Sequence, residues 1–75
     1  MGNNIKRIRK QKGMTQGDLS EMVGVTRQYI SDVENLKKIP SVKIAFDISK
    51  ALGTNIYELF YYLGSMSTIG ESSKN

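Results

Sequence analysis

Seventy-five residues make room for one small domain, and the absence of Cys and His excludes disulfide staples, thiolate nucleophiles, zinc fingers and imidazole bases. Eleven Lys and Arg against 7 Asp and Glu leave a net charge of +4, a balance that suits a polyanionic partner. Hydrophobic residues make up 39% of the chain, but no apolar run approaches the roughly 20 residues of a membrane span, and residues 1–12 are charged where a secretion signal is apolar, so the expected location is cytoplasmic.

In chain order, the first predicted helix covers residues 4–12, with Ile5 and Ile8 inward and Lys6, Arg7, Arg9, Lys10 and Lys12 crowding the rest of its surface. Gly13 closes it. Thr15 and Asp18 form a Thr-x-x-Asp capping box that opens a second helix over 16–23, with Leu19, Met22 and Val23 as its apolar stripe. After Gly24, Thr26 caps a third helix over 27–34 that turns Ile30 and Val33 inward. Lys37 and Lys38 follow as a second basic point. Pro40 blocks helix continuation and Ser41 caps a fourth helix over 42–52, apolar at Ile44, Ile48, Ala51 and Leu52. Asn55 and Glu58 open a fifth over 56–63, apolar at Ile56, Leu59, Phe60 and Leu63 and closed by Gly64. The Ser- and Gly-rich residues 65–75 read as a flexible tail behind a domain of residues 1–64.

The second and third helices carry the functional information. Gly24, Val25 and Thr26 are a short link, which predicts a steep crossing and requires a small residue where the helices touch; Ser20 meets that need. Val23, Val25, Ile30 and Val33 form the apolar wedge of the corner. Together with the lead-in IRKQKGMTQ, the segment PSVKIAFDISKALG and the closing NIYELF, the stretch QGDLSEMVGVTRQYISDVEN resembles the helix-turn-helix of the phage-repressor/Cro-like (XRE family) transcriptional regulators, over about residues 4–60. The resemblance implies an all-α, compact five-helix repressor-like DNA-binding domain, with the helix-turn-helix at helices two and three. It also implies a dimer on double-stranded DNA with helix three in the major groove. Where the family often has Gly after helix three, this chain offers Asn35 or Leu36 for a left-handed residue.

The same match puts base reading on Arg27 and Gln28, with Asp32 one turn on. Arg bonds guanine O6 and N7 together, Gln pairs with adenine N6 and N7, and a carboxylate accepts from cytosine N4. Tyr29 stands beside them as a phosphate donor, a thymine-methyl contact or a cover for the core edge, and the residues alone do not choose. Gln16 at the start of helix two, Thr26 (a cap first), Asn35, Lys37 and Lys38 are expected on phosphates, which set register without reading sequence. Arg9 is paired by the resemblance with Glu34, a structural ion pair tying helix one to the recognition unit. The remaining bases of residues 6–12 read either as a flank to the DNA backbone or, the commoner case for a charge run on a helix, as a solvated face.

One such half-interface binds weakly, so two domains reading half-sites about 34 Å apart are expected. The bulky run Phe60, Tyr61, Tyr62 and Leu63 is the expected contact of a homodimer. No catalytic constellation, metal set, cofactor motif, membrane anchor or small-molecule site is visible, and no second domain for ligand sensing fits. A sequence-specific DNA-binding regulator acting as a repressor by occlusion is therefore the expectation. The alternative is a protein-interaction module on the same fold, an antitoxin or anti-repressor.

Overall fold

The computed structural model describes residues 2–61. They run in the order β1 (Gly2–Asn3), α1 (Ile5–Gln11), α2 (Gln16–Val23), α3 (Arg27–Glu34), α4 (Val42–Leu52), α5 (Ile56–Leu59) and β2 (Phe60–Tyr61). Four helices begin at side-chain caps. Thr15 Oγ1 accepts from the Asp18 N–H at 2.9 Å while Asp18 Oδ2 accepts from the Thr15 N–H at 2.9 Å, a reciprocal box. Thr26 Oγ1 accepts from Tyr29 at 3.0 Å, Ser41 Oγ from Ile44 at 3.2 Å and Asn55 Oδ1 from Glu58 at 2.8 Å. Each bond satisfies an N–H that the first helical turn leaves without an intrahelical partner, and is worth about 1 kcal/mol. The Asn55 box is only half made, because the Glu58 carboxylate accepts from the Thr54 hydroxyl at 2.6 Å instead.

The apolar stripes converge on a core of Ile5, Leu19, Ile30, Val33, Ile48, Leu52 and Leu59, all fully buried, with Ile8, Met14, Val23, Val25, Tyr29, Ile44, Ala51 and Phe60 packed around it. Met22 departs from its predicted place and is exposed. The buried stripe of α2 passes through Leu19, Ser20 and Val23, and at 3.6 residues per turn Met22 lies beside that stripe, outside the core.

The fifth helix is shorter than the 56–63 expected. It ends at Leu59, and Phe60 takes extended geometry (φ −121°, ψ 146°), so that β2 pairs antiparallel with β1, Gly2 opposite Tyr61 and Asn3 opposite Phe60. Three consecutive aromatics favour extended backbone, and the N-terminal segment supplies the partner edge. Asn4 adds to the join: its N–H donates to the Leu59 carbonyl at 2.8 Å and its Nδ2 to the Glu58 carbonyl at 2.8 Å. Tyr62, Leu63, Gly64 and the proposed tail lie outside the described residues.

Helices α2, α3 and α4 all end on a left-handed residue. In α2 and α4 it is Gly24 (φ 85°) and Gly53 (φ 68°); after α3 it is Leu36 (φ 62°). Asn35, the other residue offered for that role, stays right-handed at φ −91°. The Lys37 N–H donates to the Asp32 carbonyl at 2.7 Å and the Leu36 N–H to the Val33 carbonyl at 3.1 Å. This bond pair closes a helix only when the residue between helix and loop is left-handed, a conformation that costs a side chain with a β-carbon about 1–2 kcal/mol.

Candidate nucleic-acid interface

The corner between α2 and α3 closes on one carbonyl. Ser20 O accepts from the Gly24 N–H at 2.8 Å and from the Val25 N–H at 3.1 Å. Ser20 itself is buried, and its hydroxyl finds an acceptor inside α2, donating to the Gly17 carbonyl at 2.8 Å. A small side chain therefore sits at the contact and leaves no polar atom unpaired. With Ile30 and Val33 fully buried, α3 can rotate no further, and its opposite face presents Arg27 and Gln28 to solvent.

Around these two, the side chains form a network. Gln28 Nε2 donates to Asp32 Oδ1 at 3.0 Å, one helical turn away. Lys38 Nζ lies 3.9 Å from Asp32 Oδ2 and 5.5 Å from the centre of the Tyr29 ring, which it faces. Tyr29 packs on the edge of the core, one of its three possible placements. Asn35 is exposed, with its Nδ2 3.4 Å from Ser31 Oγ; Thr26 and Lys37 are exposed as well.

Behind α3 lies the ionic anchor. Arg9 Nε donates to Glu34 Oε2 at 2.8 Å and Nη2 to Glu34 Oε1 at 3.2 Å, while Nη1 donates to the Met14 carbonyl at 2.8 Å. The Glu34 side chain is only 2% exposed and that of Arg9 8%. A planar fork on both carboxylate oxygens is the geometry in which guanidinium pairs are strongest. Gln16 joins it from α2, its Nε2 donating to Glu34 Oε1 at 3.1 Å. Three helices thus meet on one carboxylate, and Gln16 keeps its second N–H at the start of α2.

Two further residues border this surface. Lys10, from the basic run that the residues alone leave between a solvated face and a flank to the DNA backbone, lines a shallow cleft with Arg9, Thr15, Gln16, Gly17 and Arg27. Gly17 borders the Arg27 stem, where an added β-carbon would make only an ordinary contact, 3.9 Å from Arg27 Cδ. No local sequence signal marks either one, because both depend on how α1 and α3 lie against the start of α2. At the other end of the molecule Phe60 is partly buried against its own core, and the backbones of Phe60 and Tyr61 are engaged with β1.

The Asp18 carboxyl binds its proton less readily than an ordinary carboxyl. The backbone N–H of Thr15, and then its hydroxyl, hold the carboxyl below its ordinary range. No set of three or more potential metal ligands comes together among the described residues, and no helix there is long and apolar enough to cross a membrane.

The helix-turn-helix family model HTH_3 matches residues 5–59. An HTH-type transcriptional regulator of Methanocaldococcus jannaschii is 42% identical over 62 residues, which cover 83% of this chain and 94% of that protein. Among solved structures, the biofilm master regulator SinR in complex with DNA is 35% identical with a TM-score of 0.65, over 71% of this chain and 86% of that one. The N-terminal DNA-binding domain of SinR from Bacillus subtilis superposes with a TM-score of 0.70 at 29% identity, over 81% of this chain and 90% of that one.

Proposed function

This chain belongs to the helix-turn-helix family, and from that premise we propose that it is a sequence-specific DNA-binding transcriptional regulator whose α3 enters the major groove. The observation that carries the reading is the exposed pair Arg27 and Gln28 at the start of a helix whose other face is locked by Ile30 and Val33. Arg27 and Gln28 read base edges, with Tyr29 and Asp32 beside them. Gln16, Thr26, Asn35, Lys37 and Lys38 hold phosphates. The spare N–H of Gln16 and the ammonium groups of Lys37 and Lys38 supply donors on both sides of the groove.

The regulator works in the cytoplasm as a homodimer, joined through residues 60–63, and represses by covering its operator. It performs no catalysis and needs no cofactor. Binding-site selection from a randomised duplex pool tests the proposal. Arg27→Ala should lose preference at one base pair by about 1–3 kcal/mol, whereas Lys37→Ala should weaken all duplexes alike and reduce the salt slope by about one. Equal binding of every duplex by the unaltered chain would leave only a nonspecific polyanion binder. Light scattering with Tyr61→Lys examines the dimer, and an unchanged mass would move the contact elsewhere.

A further inference from the structure

We infer that Asp32 is a specificity-determining positioning residue: it holds the Gln28 amide in the one orientation that favours adenine over guanine. This rests on the DNA-reading function proposed above. An ionised carboxylate offers only acceptors, so the group that Gln28 turns toward Asp32 Oδ1, 3.0 Å away, has to be its NH2. The terminal torsion of a glutamine is otherwise broad and two-fold, and the amide could flip freely. Asp32 removes that freedom and occupies one of the two N–H donors.

What remains for a base is one N–H and the Oε1 oxygen. Adenine presents one acceptor, N7, beside one donor, the N6 amino group, and matches that pair. Guanine presents two acceptors, N7 and O6, and its O6 would meet the Gln28 oxygen. Without Asp32, both N–H groups and either amide orientation become available, so guanine is no longer penalised. The Asp32 carboxylate has a cation beside it. Its side chain is 18% exposed, and Lys38 Nζ lies 3.9 Å from Oδ2 while also facing the Tyr29 ring. The carboxylate thus acts on the base through Gln28, and Lys38 offsets its charge beside the phosphates.

Selection from a randomised duplex pool by the full 75-residue chain tests this. The unaltered chain should prefer adenine to guanine by about tenfold or more at one position of the half-site. Asp32→Asn, which keeps the shape but adds a donor and allows either orientation, should cut that preference below about threefold at that position alone, with other positions unchanged. Asp32→Glu keeps an acceptor-only group and should retain the preference. In a Gln28→Ala background, Asp32→Asn should change no base preference at all, which separates an effect through Gln28 from a general loosening of α3. An Asp32→Asn variant with full adenine preference overturns the inference, and so does one that loses preference equally at every position. If the unaltered chain selects no sequence, the function on which the inference rests fails first, a result the Asp32 variants cannot produce.

Discussion

The recognition helix is held by different physics at its two ends. At its N-terminal end Gly24 supplies the left-handed turn without a β-carbon, and the Thr26 hydroxyl caps the Tyr29 N–H at 3.0 Å. That end is neutral apart from Arg27, and its outward side chains are exposed. At its C-terminal end the same left-handed geometry falls on Leu36, and Glu34 is drawn inward to a buried fork with Arg9 and Gln16. On the proposed function, the contrast separates reading from anchoring. Side chains that reach a base must stay in water until DNA arrives, whereas a charge that fixes the angle of the helix gains strength from burial.

The largest test of that contrast is Glu34→Ala. It strands the Arg9 guanidinium in a buried site and should cost about 3–5 kcal/mol, lowering the melting temperature by about 4–8 °C for each kcal/mol. Glu34→Gln, which keeps an acceptor for Arg9, should lose less. An unchanged midpoint for Glu34→Ala would mean that the anchor carries no weight.

Gly24→Ala comes next. Nothing lies within 4 Å of the β-carbon it would add, so the penalty is the backbone conformation alone, about 1–2 kcal/mol. Leu36→Gly sharpens the comparison from the other side. It relieves a left-handed Leu that is half exposed, and the greater freedom of Gly in the unfolded chain offsets part of the gain. The melting temperature should rise, by an amount equivalent to less than about 1 kcal/mol. A fall would show that the Leu36 side chain holds the α3–α4 link by contacts that outweigh its strain.

The smallest effect concerns the reciprocal box that starts α2. Because the Asp18 carboxyl is held below its ordinary range, the folded state binds its proton less readily than the unfolded chain does. Its contribution is full above the ordinary carboxylate range and is lost as pH falls through the lower folded value. An acid titration of the melting temperature should therefore flatten slightly at its acid end in Asp18→Asn relative to the unaltered chain. Identical profiles would remove Asp18 as a source of acid sensitivity.

The starts of α2, α3, α4 and α5 could be read directly because each is a local event: Thr15, Thr26, Ser41 and Asn55 bond to an N–H three residues on. The inward face was nearly as legible, since Leu19, Ile30, Val33, Ile48, Leu52 and Leu59 repeat at helical spacing and all are buried. Met22 shares that spacing yet lies outside the stripe, because spacing alone does not say where the edge of a buried face falls. In the candidate interface, exposure of Arg27 and Gln28 follows from the same periodicity. The partners of Gln16, Asp32 and Lys38 do not, since each is set by side chains that only folding brings near.

By itself, then, the amino-acid order determined where helices begin, which face of each is apolar and that two of them meet at a tight glycine corner, all consequences of interactions within a few residues. Tertiary structure alone decided that α5 stops at Leu59 so that Phe60 and Tyr61 can pair with Gly2 and Asn3, and that Leu36 rather than Asn35 turns left-handed. It also decided that Gln16 of α2 joins the Arg9–Glu34 pair, which the family resemblance had implied only between α1 and α3. These depend on segments far apart in the chain, where packing and the need to pair every buried polar group outweigh the preference of any single residue.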